Sequence, residues 1–159
     1  MEILPASLRD LSGLRRIEQA CFLRDAWPLL DLIAVLTYSD VIRLKAVNDD
    51  KMIGFIAADL RPSEGMAWIA TLGVAPEYRR QGIAIALLRE CESRIKQPRI
   101  RLCVRPSNQA AVRLYQEEGY LAMDTWQKYY NNGENALVME KIREAYISES
   151  KSHDLRAIR

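Results

Sequence analysis

The run Arg79-Arg80-Gln81-Gly82-Ile83-Ala84 stands where an uncharged stretch, Trp68 to Val74, meets a segment with apolar residues at helical spacing. Those residues are Ile83, Leu87, Leu88, Cys91 and Ile95, so the segment reads as a helix. Ala75-Pro76-Glu77-Tyr78 ends the strand, because proline cannot continue a ladder. A glycine-bearing loop at a helix start has a definite chemistry. The first helical turn leaves N–H groups unpaired, at the positive end of the helix dipole. Gly82 lets a ligand approach the backbone, and the small Ala84 keeps the helix start accessible. A pyrophosphate is the natural guest. The run lacks the Gly-Lys-Ser/Thr ending of a P-loop and the repeated glycines of a dinucleotide fingerprint.

A second segment follows: Arg101-Leu102-Cys103-Val104-Arg105-Pro106-Ser107-Asn108, continuing to Tyr115 and Gly119-Tyr120. Arg79-x-x-Gly82-x-Ala84, preceded by Leu72-Gly73-Val74-x-Pro76, resembles the acetyl-CoA loop of the GCN5-related N-acetyltransferase (GNAT) family. The second segment resembles that family's Val-Arg-x-x-Asn-x-x-Ala…Tyr…Gly-Tyr/Phe pattern. Within the family the chain is most similar to the ribosomal-protein-alanine and other protein N-terminal acetyltransferases. The resemblance covers about Ile3 to Lys141. It implies acetyl-CoA as acetyl donor, with no metal. Leu72, Gly73, Val74, Arg79, Arg80, Gln81, Gly82, Ile83, Ala84, Asn108 and Tyr115 would hold it. It also implies that Tyr115 faces the thioester sulfur and protonates the departing thiolate, and that a backbone N–H near Val74 serves the oxyanion.

The chain departs from the pattern at the base. Relatives carry Glu, or in some eukaryotic enzymes His, where this chain has Cys103. Some of the latter also have Tyr where Trp68 stands. A thiol in a short apolar strand reads as a packing group, although Arg101 and Arg105 share its face of the strand and would favour a thiolate. Without a strong base, the substrate's own acidity decides. An α-amine with pKa near 8 is roughly one-tenth neutral at pH 7, whereas a lysine is neutral in about one molecule in 2,500. That favours the N-terminal amine of a protein or peptide, in the relatives' case a ribosomal protein. The aromatic stretch Phe22 to Trp27 and the pair Tyr129-Tyr130 resemble the relatives' two walls around the acceptor peptide. Core packing and strand propensity are the plain alternatives for these aromatics. A small-amine or lysine acetyltransferase, or a CoA-binding module without turnover, are the alternative functions. A pure binding module has no need of Tyr115.

The elements that must position these groups follow from periodicity and punctuation. Glu2 to Pro5 reads as a strand. Ser7-x-x-Asp10 caps a helix reaching Cys21, and Pro28 starts another through Tyr38. Val41 to Val47 and Lys51 to Leu60 pair around Asn48-Asp49-Asp50. The central strand and long helix follow, the latter ended by Gln97-Pro98. Then come a strand from Ile100 to Val104, a helix from Asn108 to Glu118 closed by Gly119, and a hairpin of Leu121 to Tyr129 with Asn135 to Lys141. Strand, helix, strand implies a right-handed parallel crossover. The expected fold is therefore α/β: a mixed, mostly antiparallel sheet of about seven strands flanked by about four helices. In the family the two central strands splay to admit acetyl-CoA.

The composition agrees with one acetyltransferase domain over residues 1–142 and a polar C-terminal tail over 143–159. The chain has 159 residues, of which 49% are apolar and 28% charged, the balance of a globular protein. A net charge of +2 is too small to imply nucleic acid. No apolar run reaches the roughly 20 residues that span a membrane, and the N-terminus has no signal-peptide pattern, so the cytoplasm is expected. Cys21, Cys91 and Cys103 have no metal-like spacing and read as reduced thiols. The only histidine, His153, lies in the tail, far from every candidate site residue.

Overall fold

The computed structural model describes residues 1–143. The expected polar tail lies outside the described residues, apart from Arg143. In chain order the elements are β1 (Glu2–Pro5), α1 (Leu11–Phe22), α2 (Leu29–Thr37), β2 (Val41–Asn48), β3 (Lys51–Arg61), β4 (Met66–Val74), α3 (Ile83–Arg94), β5 (Arg99–Val104), α4 (Gln109–Glu117), β6 (Leu121–Trp126) and β7 (Ala136–Ile142). The strands form one sheet in the order β1-β2-β3-β4-β5-β7-β6. Only β4 and β5 run parallel; every other pair is antiparallel. The expected mixed sheet, with its crossover through α3, is therefore present.

Both faces of the sheet are covered. Leu14 and Ile17 of α1 and Leu32, Val35 and Leu36 of α2 pack with Phe55 and Ala57 of β3. On the other face, Leu87, Leu88 and Cys91 of α3 and Tyr115 of α4 pack with Ile53, Ile56 and Ala58. Alternation along β3 thus feeds two cores. Burial at this density removes several large apolar side chains from water, each worth about 1.5–3 kcal/mol.

Three boundaries differ from the sequence expectation by about three residues, the rest by two or fewer. The long helix ends at Arg94 rather than at Gln97, because Ile95 turns extended (φ −78°, ψ 129°) to reach the core. A 3-10 turn, Leu8–Asp10, precedes α1, and the Asp10 carboxylate accepts from the Ser7 N–H at 2.8 Å. Strand β6 stops at Trp126, and Lys128 adopts φ 48°. Tyr129 and Tyr130 therefore sit in the loop before β7 and not on a strand.

The feature that makes a site lies in β4. Its register with β3 runs Thr71↔Ala57 and then Ile69↔Ala58, so Ala70 is an extra, bulged residue. A bulge bends its strand and increases the local twist. The β4–β5 ladder stops beside it, at Ile69↔Leu102. Beyond that point the two strands diverge, and the expected splay opens between Ala70–Val74 and Cys103–Val104.

Candidate active site

Backbone polarity in the splay follows from the β3–β4 register. The Ala75 N–H bonds to the Ile53 carbonyl at 2.8 Å, which makes Val74↔Gly54 a non-hydrogen-bonded pair. The N–H and C=O of Val74, and by alternation those of Leu72, therefore aim away from β3 into the gap. Gly73 does something else. A Cβ there would lie 3.1 Å from Ile17 Cγ2 and 3.3 Å from Cys21 Sγ and Phe22 Cε2. This glycine lets α1 lie tightly on β4.

The loop after β4 is shaped for an anion. Arg80 and Gly82 both have positive φ, at 61° and 77°. Backbone in that conformation turns successive N–H groups inward to form a concavity, and α3 begins at once with Ile83. A Cβ on Gly82 would meet no protein atom within 4 Å. Conformation, not protein crowding, is what glycine supplies here. The Arg79 side chain folds back onto the strand: its Nε donates to the Val74 carbonyl at 3.1 Å. Its guanidinium also neighbours Cys21, whose Sγ donates to the same carbonyl at 3.2 Å. Arg79 is thus turned onto the strand, while the backbone amides of the loop stay open to a pyrophosphate.

A cleft of about 640 Å³ opens on the splay. Leu72, Cys103, Asn108, Tyr115, Phe22, Trp27, Tyr129 and Tyr130 all border it. Gly73, Val74 and the loop from Arg79 to Ala84 are not part of its lining; they continue the same strand beyond it. The sequence candidates thus divide between the loop after β4 and the cleft, joined by β4.

Tyr115 is buried on α4, its ring edge-on to Tyr120 with centroids 5.7 Å apart. Burial pushes its phenol up to about 12, with no charge or hydrogen bond contributing. Asn108 caps α4, its Oδ1 accepting from the Ala111 N–H at 3.2 Å. Cys103 is half-buried, and burial raises its thiol above the ordinary value, opposed by a hydrogen bond from Tyr129. Neither arginine on its face activates it. Arg101 pairs with Glu140, and Arg105 pairs with Asp25 and Glu134. At neutral pH the Cys103 thiol stays protonated.

Trp126 and Glu18 of the cleft were not singled out from the sequence, and the contacts that join the others only the fold shows. Trp68, Trp126, Tyr129 and Tyr130 form a continuous aromatic row, with successive centroids 5.6, 5.6 and 5.0 Å apart. The Trp68 Nε1 is buried without a partner among the described residues. Arg105 clamps the cleft mouth. It reaches Asp25 from the α1–α2 connection and Glu134 and Asn132 from the β6–β7 loop, and its guanidinium lies 3.9 Å from the Tyr130 ring centroid. Glu18 on α1 is the one buried charged side chain among the described residues, 2% exposed. It accepts from the Trp27 N–H at 3.3 Å and the Thr71 hydroxyl at 3.2 Å, and it borders the cleft. Its signal in the sequence was positional: Leu14, Ile17, Glu18 and Cys21 share one helix face, and an acid does not belong on an apolar stripe.

The Acetyltransferase (GNAT) family model matches residues 11–120, most of the described chain. The chain belongs to this family. It is 27% identical over 143 residues to the catalytic subunit of the N-terminal acetyltransferase A complex of Arabidopsis thaliana, covering 86% of this chain and 74% of that protein. It is 30% identical over 145 residues to an uncharacterized N-acetyltransferase of Methanocaldococcus jannaschii, covering 89% and 91% of the two chains. Among solved structures, the ribosomal-protein-S18-alanine N-acetyltransferase of Escherichia coli superposes with a TM-score of 0.79 at 26% identity, covering 89% of this chain and 92% of that one. The PaiA N-acetyltransferase of Thermoplasma acidophilum, solved with coenzyme A, shares the fold with a TM-score of 0.76 at 23% identity, covering 89% and 98%. The protein is thus an N-acetyltransferase enzyme of GNAT type. Among the described residues, no helix is long and apolar enough to cross a membrane.

Proposed function

We propose that this acetyltransferase moves the acetyl group of acetyl-CoA onto the N-terminal α-amine of a protein or peptide, as the ribosomal-protein-alanine enzymes do. The observation that carries the reading is the splay. Backbone N–H groups of Leu72 and Val74 face one gap, with an amide-lined loop at one end and an aromatic cleft at the other.

The residues divide the work by chemistry. The backbone from Arg79 to Ala84 holds the donor's pyrophosphate. Leu72 and Val74 offer N–H groups to the pantetheine arm and to the oxyanion that develops when the amine attacks. Phe22, Trp27, Tyr129 and Tyr130, with the aromatic row from Trp68, hold the acceptor's first residues. Tyr115 directs its hydroxyl at the departing thiolate. With a phenol near 12, it acts chiefly by donating a hydrogen bond as charge develops. It hands its proton over as it takes one from the attacking nitrogen, which must lose a proton in the same step.

The acceptor class follows from charge state and shape. The cleft wall presents no thiolate, since the Cys103 thiol is held protonated, and a carboxylate is far too weak a base for a lysine of pKa about 10.4. An α-amine needs far less help. The test is acetyl transfer from acetyl-CoA to a peptide panel, read by mass spectrometry. Half the peptides carry a blocked α-amine and an internal lysine. Acetylation confined to free α-amines is the expected result. Transfer to lysine in blocked peptides at an equal rate would overturn the reading.

A further inference from the structure

A carboxylate buried without a cation is costly, so it needs a reason. Glu18 is such a group. Its two hydrogen bonds come from neutral donors, the Trp27 N–H and the Thr71 hydroxyl, at 3.3 and 3.2 Å. No charged neighbour contributes to its ionisation, and burial raises its carboxyl above the ordinary range. The groups around it are accounted for. Cys21, one turn along α1, donates to the Val74 carbonyl. Arg79 is bound to that same carbonyl. Asp25 and Arg105 of the cleft are paired with each other, as are Asp59 and Arg61. Thr71, its partner on β4, sits one residue from Leu72 and next to the bulge at Ala70. The carboxylate therefore borders the cleft where β4 turns its amides into the gap.

We propose that Glu18 is the general base, taking a proton from the acceptor's α-ammonium at the position where the cleft meets Thr71. This rests on the α-amine reading above. The ammonium is the cation that Glu18 otherwise lacks. The protons balance. An α-ammonium has two protons to lose on becoming an amide. The first goes to Glu18, leaving a neutral amine and a carboxylic acid. The amine nitrogen bonds to the acetyl carbon, the carbon–sulfur bond breaks, and the second proton reaches the sulfur by way of Tyr115. Glu18 returns its proton to water after the products leave. Glutamate at this site supplies what Cys103 does not.

The test is the pH dependence of kcat/KM for a free-α-amine peptide between pH 5.5 and 9.5, for the wild type and Glu18→Gln. Glutamine keeps the shape and a hydrogen-bonding carbonyl. The wild type should show an acidic limb set by Glu18. In the variant only pre-formed neutral amine reacts, so the limb should move to about 8, the pKa of the amine itself. The loss should be roughly tenfold or more at pH 7 and should fade at pH 9.5, where the amine is already neutral. Glu18→Asp should restore part of the neutral-pH rate. Rates within threefold of wild type throughout, or a loss equal at pH 7 and 9.5, would overturn the proposal in favour of a structural acid. If Glu18→Gln does not fold, Thr71→Val decides. Losing a donor to the carboxylate should shift the acidic limb upward, and an unmoved limb refutes the base. A wild type inactive on every free α-amine defeats the α-amine reading itself, a result separate from either variant's behaviour.

Discussion

Replacing Tyr115 with phenylalanine removes one hydroxyl and keeps the ring packed against Tyr120. The packing cost is therefore small, and the change reports on chemistry. Burial holds this phenol near 12, against about 8.5 for an ordinary thiol. Complete proton transfer to a free thiolate would be uphill by about 3.5 units, or roughly 5 kcal/mol at 1.36 kcal/mol per unit. Departure of a free thiolate followed by separate protonation from Tyr115 is thus the wrong picture. A hydrogen bond to a charged acceptor is worth about 1.5–3 kcal/mol, which corresponds to a rate factor between roughly 10 and 150. The proton relay adds to this, and general acid catalysis spans about 10²–10⁴. Tyr115→Phe should therefore lower kcat by about a hundredfold, with little change in the KM for acetyl-CoA. Acetylated peptide, quantified by mass spectrometry under saturating donor, gives kcat without interference from the protein's own thiols. The raised phenol also sets a pH expectation. Tyr115 stays protonated through pH 10, so the wild-type rate should show no basic limb from it below that. A Tyr115→Phe rate within threefold of wild type would make the residue a packing group. A hundredfold loss that appears wholly in the KM for acetyl-CoA would make it a binding group.

Three further outcomes follow from the geometry. Gly82→Ala places a side chain at φ 77° in open space, so about 1–2 kcal/mol of left-handed strain should displace the loop amides. Acetyl-CoA affinity by calorimetry should fall roughly tenfold in a folded protein, and unchanged affinity would remove the loop from the site. Cys103→Ala should keep activity within a few-fold, since burial holds the thiol protonated. Loss of activity with acetyl-CoA binding intact would show that the thiol takes part. Glu18 predicts a stability trade. Its folded carboxyl titrates higher than the unfolded one, so the folded state binds more protons between those two values and loses stability as pH rises through them. Urea unfolding of Glu18→Gln and wild type at pH 4.5 and 7.5 should show the variant gaining relative stability at the higher pH. A difference independent of pH would mean that the carboxyl titrates normally.

The element order, the crossover through α3 and the loop between β4 and α3 were legible in the sequence because each depends on local rules. Apolar residues at helical spacing mark α3 whatever surrounds it, Pro76 stops β4, and Gly82 marks the loop before the helix. The two segments around Gly82 and Asn108 carried the family. Boundaries failed where a distant contact won. Ile95 left its helix to reach the core, and β6 gave way at Lys128 so that Tyr129 and Tyr130 could line the cleft. The aromatic cleft depended on tertiary structure almost entirely. Arg105 looked like an activator of Cys103 until the fold brought Asp25 and Glu134, distant in sequence, onto its guanidinium. The splay needed the single extra residue at Ala70, which no pattern of residue types announces, since a bulge is a mismatch between two strands. Glu18 was visible only as a misplaced charge on an apolar helix face. Its partners, Trp27 and Thr71, come from a loop and a strand that meet it only when α1 lies down on Gly73. Local sequence dictates what each segment is. Burial, charge pairing and proton affinity depend on what the fold sets beside it.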